Sequence, residues 1–292
     1  MKNIVIFSNC AGNIIANMFD QHTYTKNKYS TAHIGNYNYL NHETIDPSHI
    51  TLLNNCDIFM YQPLNQEYTE SEYNIENIKT FLNKNTIILK INYYRFRGFW
   101  YNSECKPYNT YENYQFHTGN YYGIHDSFAN FNSVDIDVIT DKIDNINISK
   151  DNLLLFFNTE VEKFKRIDDK SDVNMIEYFV DNYKTKHLFH DPFHPTNLFF
   201  YELFRKIVFK LTNHELKYED YEFINTLDHI EMSHWALPIL PIVKTHLELE
   251  LNNNIYVFYP ADIKLYINVY DYYYIRLSHA NFQNYLNLLN VK

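Results

Sequence analysis

Glycine is scarce in this 292-residue chain. There are five, and neither GxGxxG nor GxxxxGK[ST] occurs, so a dinucleotide fingerprint and a P-loop are unsupported. So few glycines also exclude collagen-like and glycine-linker architectures. Cysteine is sparse and odd in number: Cys10, Cys56 and Cys105 make no disulfide framework and point to a reducing compartment. Positive charge is in deficit, with 25 Lys and Arg against 35 Asp and Glu and a net charge of -10, which argues against general nucleic-acid binding. No apolar run approaches the roughly 18 residues of a membrane span, and the run at Ile4–Phe7 is too short for a signal peptide. The expectation is a soluble, cytoplasmic protein.

What the chain has instead is aromatic mass, with 28 Tyr and 22 Phe. Hydrophobic residues at 46% and charged residues at 21% are globular values and exclude disorder as the overall state. Tyr, Asn, Ile, Lys and Phe share A/T-rich codons, so their abundance implies an AT-rich genome, that of a large virus or an AT-rich microbe. If the gene is viral, the expected compartment is the host cytoplasm.

The order of elements reads as α/β. Ile4 to Phe7 is a continuous apolar run, the pattern of a strand buried on both faces. A polar turn, Ser8–Asn13, leads to Ile14, Ile15, Met18 and Phe19 at helical spacing. Further strands are expected at Thr31–Ile34, Asp57–Tyr61 and Thr86–Ile91, with helices from Pro47 and around Ile75–Leu82. Residues 92 to 148 read as mostly irregular. Helices follow over Asp151–Ile167, from an N-cap at Ser171-Asp172, and over Thr196–Leu211. Ile255–Tyr259 and Ile263–Tyr274 read as strands, and the end as helical. The fold class is therefore a three-layer α/β/α domain with a mainly parallel sheet over 1–212, followed by a small α/β appendage over 213–292.

Open α/β sheets bind ligands at the carboxyl ends of their strands. Asn9, Cys10, Gly35, Asn36 and Gln62 collect there. A thiol between the first strand and first helix feels the helix dipole, and a lowered pKa would make Cys10 a nucleophile. From position alone a buried structural cysteine is the favoured reading, because it is the commoner role of the residue type. In Asp191-Pro192-Phe193-His194-Pro195-Thr196, an Asp three residues before a His accepts from one ring nitrogen and leaves the other as a base. His187, His190, His194 and Asp191 are too loosely spaced for a metal site, and no HExxH or CxxC accompanies them.

The D-x-x-H-P stretch is similar to the last sequence block of the SGNH hydrolase superfamily, although Ser8-Asn9-Cys10 stands where that superfamily has its GDS serine. Asn9-Cys10, Gln62 closing the third strand, and Leu188-Phe189 shortly before His194-Pro195 together resemble the WcbI family of polysaccharide biosynthesis proteins. His125-Asp126 after Tyr122 and the segment Pro238–Val243 resemble it too. The resemblance runs loosely from residue 3 to about 250. It implies an SGNH-like fold, coenzyme A as cofactor, and an acetyl-CoA-dependent acetyltransferase acting on a sugar or sugar nucleotide. It also implies roles: Cys10 nucleophile, His194 base, Asp191 its partner, and an oxyanion hole drawn from Cys10 N–H with Gly35, Asn36 and Gln62 as candidates. Many relatives carry Gln directly after the Cys, where this chain has Ala11.

Coenzyme A carries several phosphate charges. Lys90, Arg95 and Arg97, interleaved with aromatics after the fourth strand, are the cluster expected to hold them, with Asn9, Gly35 and Asn36 lining the cofactor. A cysteine suits acyl relay from CoA because one thioester is exchanged for another of nearly equal energy. Direct transfer with His194 as base needs no relay. Two other functions fit the same residues: a Cys-variant esterase or deacetylase, and a non-catalytic CoA- or glycan-binding module.

Overall fold

The computed structural model describes residues 1–36, 44–63, 72–101, 134–227, 236–251, 256–258, 265–277 and 279–288. Cys105 and His125-Asp126 lie outside the described residues. The chain forms two compact units, one of Met1–Tyr94, Lys165–Glu177 and Asn197–Glu231, the other of Arg95–Phe164, Tyr178–Thr196 and Met232–Lys292.

The first unit is built on four parallel strands, β1 (Lys2–Ser8), β2 (Tyr29–Gly35), β3 (Ile58–Tyr61) and β4 (Ile87–Lys90), in the order β2-β1-β3-β4. Helices α1 (Ala11–Gln21), α2 (Pro47–Asn54) and α3 (Ile75–Thr80) make the crossovers. Successive strand residues face opposite sides. Val5 and Phe7 of β1 accordingly join Phe59 of β3, Leu53 of α2 and Ile78 of α3 in one buried cluster. Ile4 and Ile6, both 0% exposed, face the other side. There α1 buries Ile14, Ile15, Met18 and Phe19, and Phe19 meets Phe204 of α7 (Asn197–Thr212) edge-on at 5.0 Å. The sheet is thus covered on both faces, which is why β1 reads as an unbroken apolar run. Each fully buried Val, Ile, Leu or Phe contributes about 1.5–3 kcal/mol.

Local polar chemistry sets the helix starts. Asp46 accepts from Ser48 N at 2.7 Å with Pro47 at the first helical position, and Asn74 accepts from Asn77 N at 2.9 Å. The end of β4 is covered by a turn: Lys90 N donates to Asp172 Oδ2 at 2.7 Å, and Asp172 N to Lys90 O at 2.8 Å. This corrects the helix start expected at Ser171-Asp172. Both residues serve the strand edge, and α6 (Ile176–Asn182) begins later. Its cap comes from the end of α5 (Lys150–Asp168), where Asp168 Oδ2 accepts from Met175 N at 2.6 Å and Ile176 N at 2.8 Å.

The second unit is aromatic at its centre. Phe96 lies 4.5 Å from Phe179, 5.0 Å from Phe99 and 5.3 Å from Phe157, ring centre to ring centre. Gly98 is required there, because a Cβ would stand 2.5 Å from the Phe96 ring and 2.8 Å from that of Phe157. Helix α4 (Ile136–Asp144) departs from the irregular reading of residues 92–148. It is capped by Asp135 and buries Ile139 and Ile143. Helices α8 (Tyr221–Thr226), in the first unit, and α9 (Pro241–Leu247), in the second, are short. The antiparallel pair β5 (Tyr256–Phe258) and β6 (Leu265–Ile267) precedes α10 (Val269–Leu277) and α11 (His279–Leu288). The strand expected over Ile263–Tyr274 therefore ends at Ile267. The tyrosine-rich segment is helical because Asn268 caps it, accepting from Asp271 N at 2.9 Å. No helix among the described residues is long and apolar enough to cross a membrane.

Asp168 is fully buried and also accepts from Tyr94 Oη at 3.2 Å. Asp168→Ala strands one buried and one partly buried N–H group, and urea unfolding should show a loss of about 2–4 kcal/mol. An unchanged midpoint would mean that α6 finds another cap.

Candidate active site

In the order β2-β1-β3-β4, the chain leaves β1 toward β2 on one side and returns through β3 on the other. The carboxyl ends of β1 and β3 therefore flank the point where strand order reverses, the usual ligand crevice of an open sheet. β1 ends at Ser8-Asn9-Cys10 and β3 at Tyr61-Gln62. Gln62, 3% exposed, staples these ends: its Oε1 accepts from Asn9 N at 3.0 Å and its Nε2 donates to Asn92 O, beyond β4, at 3.3 Å. Asn9 Oδ1 accepts from Ala11 N at 3.1 Å and Asn9 O from Gly12 N at 3.0 Å, so Asn9 caps α1 and presents Cys10 at its start. Gly35 lies opposite Ser8 in the β1–β2 register, and Asn36 follows it, buried. The structure thus gathers Asn9, Cys10, Gly35, Asn36 and Gln62 at one sheet edge, as the sequence implied.

The electrostatics of Cys10 differ from expectation. The residue presents surface to solvent, yet the protein around its thiol removes hydration from the thiolate and pushes the pKa above its ordinary value. Hydrogen bonding from the Cys10 and Ala11 N–H groups opposes this only in part. Desolvation outweighs those two N–H groups, so burial and not the helix start sets the direction of the shift. His33, which sequence reasoning missed, places Nε2 3.1 Å from Ser8 O and 3.0 Å from Asn9 O. Burial lowers its pKa, opposed by those two carbonyls, and the net shift favours the neutral form of the ring. Its signal was its place on β2, two residues before Gly35.

The second constellation lies in the other unit. Asp191 Oδ2 stands 2.6 Å from His194 Nδ1, and Asp191 Oδ1 accepts from Phe193 N at 2.6 Å and His194 N at 2.9 Å. One carboxylate therefore closes the turn and holds the ring. The turn is pinned from outside by Phe96 N to Pro192 O at 2.9 Å, Leu237 N to His190 O at 2.8 Å, and His190 N to His194 O at 2.8 Å. The aromatic centre positions it through Phe96. With Nδ1 facing Asp191, Nε2 is the ring nitrogen turned away from the carboxylate.

The basic cluster is divided in its roles. Lys90 is half-buried at the end of β4, with its backbone held by Asp172. Arg95 is exposed and forms no ion pair among the described residues. Arg97 clasps the buried Glu160 with two hydrogen bonds, Nε to Oε2 at 3.0 Å and Nη2 to Oε1 at 2.8 Å, and Lys163 joins at 2.7 Å. Burial alone would raise the Glu160 pKa, but Arg97 and Lys163 together bring it below the usual carboxylate value. Arg97 thus already has a carboxylate partner.

The first unit is thus a parallel α/β sheet with a clamped cysteine at its switch point, and the second carries an Asp–His turn. The family model described as polysaccharide biosynthesis enzyme WcbI matches residues 3–215, and the chain belongs to that family. A solved structure described as WcbI, a polysaccharide biosynthesis enzyme, has the same fold with a TM-score of 0.62 at 15% identity. The alignment covers 97% of this chain and 90% of that one. It is further described as the native protein without a disulfide bond between coenzyme A and one of its cysteines. No curated protein matches the chain.

Two outcomes follow from the charges. Arg97→Met leaves Glu160 buried with Lys163 alone and should cost about 1–3 kcal/mol in urea unfolding, while Arg95→Met should stay within about 0.5 kcal/mol. Equal stabilities would show that the Arg97 pair contributes nothing. Separately, iodoacetamide labelling of Cys10, followed by peptide mass spectrometry, should still be accelerating with pH at about 8.5, the ordinary thiol value. A plateau well below that pH would restore a dipole-activated thiolate.

Proposed function

We propose that this member of a polysaccharide biosynthesis family is an acetyl-CoA-dependent acetyltransferase acting on a sugar or sugar nucleotide. The observation that carries the reading is Cys10, held by Asn9 and Gln62 at the switch-point edge where an open α/β sheet takes its ligand. The solved relative, described in terms of coenzyme A and a cysteine, supports the cofactor. Among the described residues, Lys90 and Arg95 have no carboxylate clasp of the kind Arg97 has, and Gly35 and Asn36 line the same edge as Cys10.

In the relay, a base takes the proton of the Cys10 thiol and the sulfur attacks the thioester carbonyl. The C–S bond to CoA breaks, and the CoA sulfur leaves with that proton. The sugar hydroxyl or amine, deprotonated by the base, then attacks acetyl-Cys10, and the thiol re-forms with that proton; His194 is the base that the family resemblance implies. A thiol of raised pKa needs a base for the first step, and Asp191 stabilises the imidazolium that forms. The same raised pKa favours a second reading, in which the acetyl group passes directly from CoA to the sugar and Cys10 only shapes the site.

Acetyl-CoA with no acceptor should leave a hydroxylamine-labile acetyl group on Cys10, seen by peptide mass spectrometry. His194→Ala should reduce transfer by roughly 10²–10⁴-fold with coenzyme A affinity nearly unchanged. If both residues serve one step, adding Cys10→Ala to His194→Ala should cost little more. No thermal shift with millimolar coenzyme A would remove the transferase reading. A fully active Cys10→Ala protein would leave direct transfer.

A further inference from the structure

Three peptide planes run from Ser8 to Ala11, and each is trans, so its carbonyl and N–H point opposite ways. The Ser8–Asn9 plane is gripped from both sides. Its carbonyl faces His33 Nε2 at 3.1 Å, and its N–H meets Gln62 Oε1 at 3.0 Å. In the Asn9–Cys10 plane, the carbonyl takes His33 Nε2 at 3.0 Å, Ser8 Oγ at 2.9 Å and Gly12 N at 3.0 Å. The N–H of that plane, which belongs to Cys10, is thereby turned the other way, free of the carbonyl's partners. Two carbonyl oxygens at these distances require a donor, so Nε2 carries the hydrogen of His33. Gly12 completes the arrangement. A Cβ there would stand 1.9 Å from Ser8 Oγ and 2.6 Å from the His33 ring, so only glycine lets the first turn of α1 close over both.

We propose that His33 is a positioning residue, whose Nε2–H fixes the Ser8 and Asn9 carbonyls and so aims the Cys10 N–H at the Cys10 sulfur and at the oxygen that gains charge beside it. The part concerning the oxygen rests on the acyl-transfer reading; the part concerning the sulfur does not. His33 itself touches no reacting atom. Its effect passes through the backbone it holds, and a neutral ring suffices, because donation and not charge does the holding. Gln62 fixes the same turn from the opposite side but holds only the first plane; in the second, His33 acts alongside Ser8 Oγ and Gly12 N, and it alone of these grips both carbonyls.

The experiment compares His33→Leu, which removes the donor, with His33→Gln, whose Nε2 donates from a similar reach. The readout is the rate of iodoacetamide alkylation of Cys10 in the full chain at pH 7.5, with folding checked by circular dichroism. His33→Leu should slow alkylation about tenfold, the effect of losing one hydrogen bond to a charged atom, and His33→Gln should recover to within about threefold of the parent. In transfer assays the same pair should change kcat and leave KM for acetyl-CoA in place. A folded His33→Leu protein that alkylates at the parent rate overturns the proposal, as does a His33→Gln protein no faster than His33→Leu. Should His33→Leu fail to fold, nitrogen-15 spectra of the unsubstituted chain decide the question. A neutral ring with hydrogen on Nε2 is expected, and hydrogen on Nδ1 overturns the assignment. Alkylation needs no coenzyme A, so absent acyl transfer with the expected alkylation pattern would strike the proposed reaction alone.

Discussion

The hydrogen bond from Asn9 N–H to Gln62 Oε1 joins the carboxyl ends of two neighbouring parallel strands at the point where their chains diverge. Parallel strands end in loops that run away from each other, and nothing in the sheet ladder fixes those loops. A buried amide at that position has to satisfy both its oxygen and its nitrogen, and Gln62 does so on Asn9 and Asn92. The demand runs outward. With Asn9 N–H held, its side chain caps α1, its carbonyl is presented to His33, and Cys10 is delivered to the first helical turn. The geometry around the thiol follows from satisfying polar groups that the sheet edge would otherwise strand.

The second unit solves the corresponding problem with aromatic mass. Phe96, Phe99, Phe157 and Phe179 supply a packed centre, and Phe96 also donates its backbone N–H to Pro192 in the histidine turn. Asp191 is then used three times, on two backbone N–H groups and on the His194 ring. A carboxylate so occupied cannot swing away, which gives the imidazole one orientation. The tyrosine- and phenylalanine-rich composition, whatever its origin in codon usage, is put to structural use here.

Burial explains where charge is and is not available. Arg97 looked like a partner for phosphate, but Glu160 is buried beside it, and an unpaired buried carboxylate would be costly. The cation is held inside the protein for that reason. Cys10 shows the converse: the helix start offers two N–H groups, yet burial strips water from the thiol, and burial is the larger effect.

Strands β1 to β4 were legible in the sequence as short apolar, β-branched runs between polar turns, and helix α1 because Ile14, Ile15, Met18 and Phe19 recur at helical spacing on one buried face. The D-x-x-H spacing was legible because the bond it makes is local. What failed to show depends on partners distant in the chain. Ser171 and Asp172 have the chemistry of a helix cap but are taken by Lys90, some 80 residues earlier, while Asp168 caps the helix instead. Tyr270–Tyr274 carries strand-forming side chains, yet the Asn268 cap makes it helical. α4 escaped notice because its two buried isoleucines sit among Asp, Thr and Lys. The sequence by itself determined that a cysteine and an Asp–His pair stand at loop positions of an α/β chain. Only the tertiary structure decided that His33 and Gln62 clamp the cysteine turn, because parallel pairing brings residues 25 and 53 positions away to the same peptide planes.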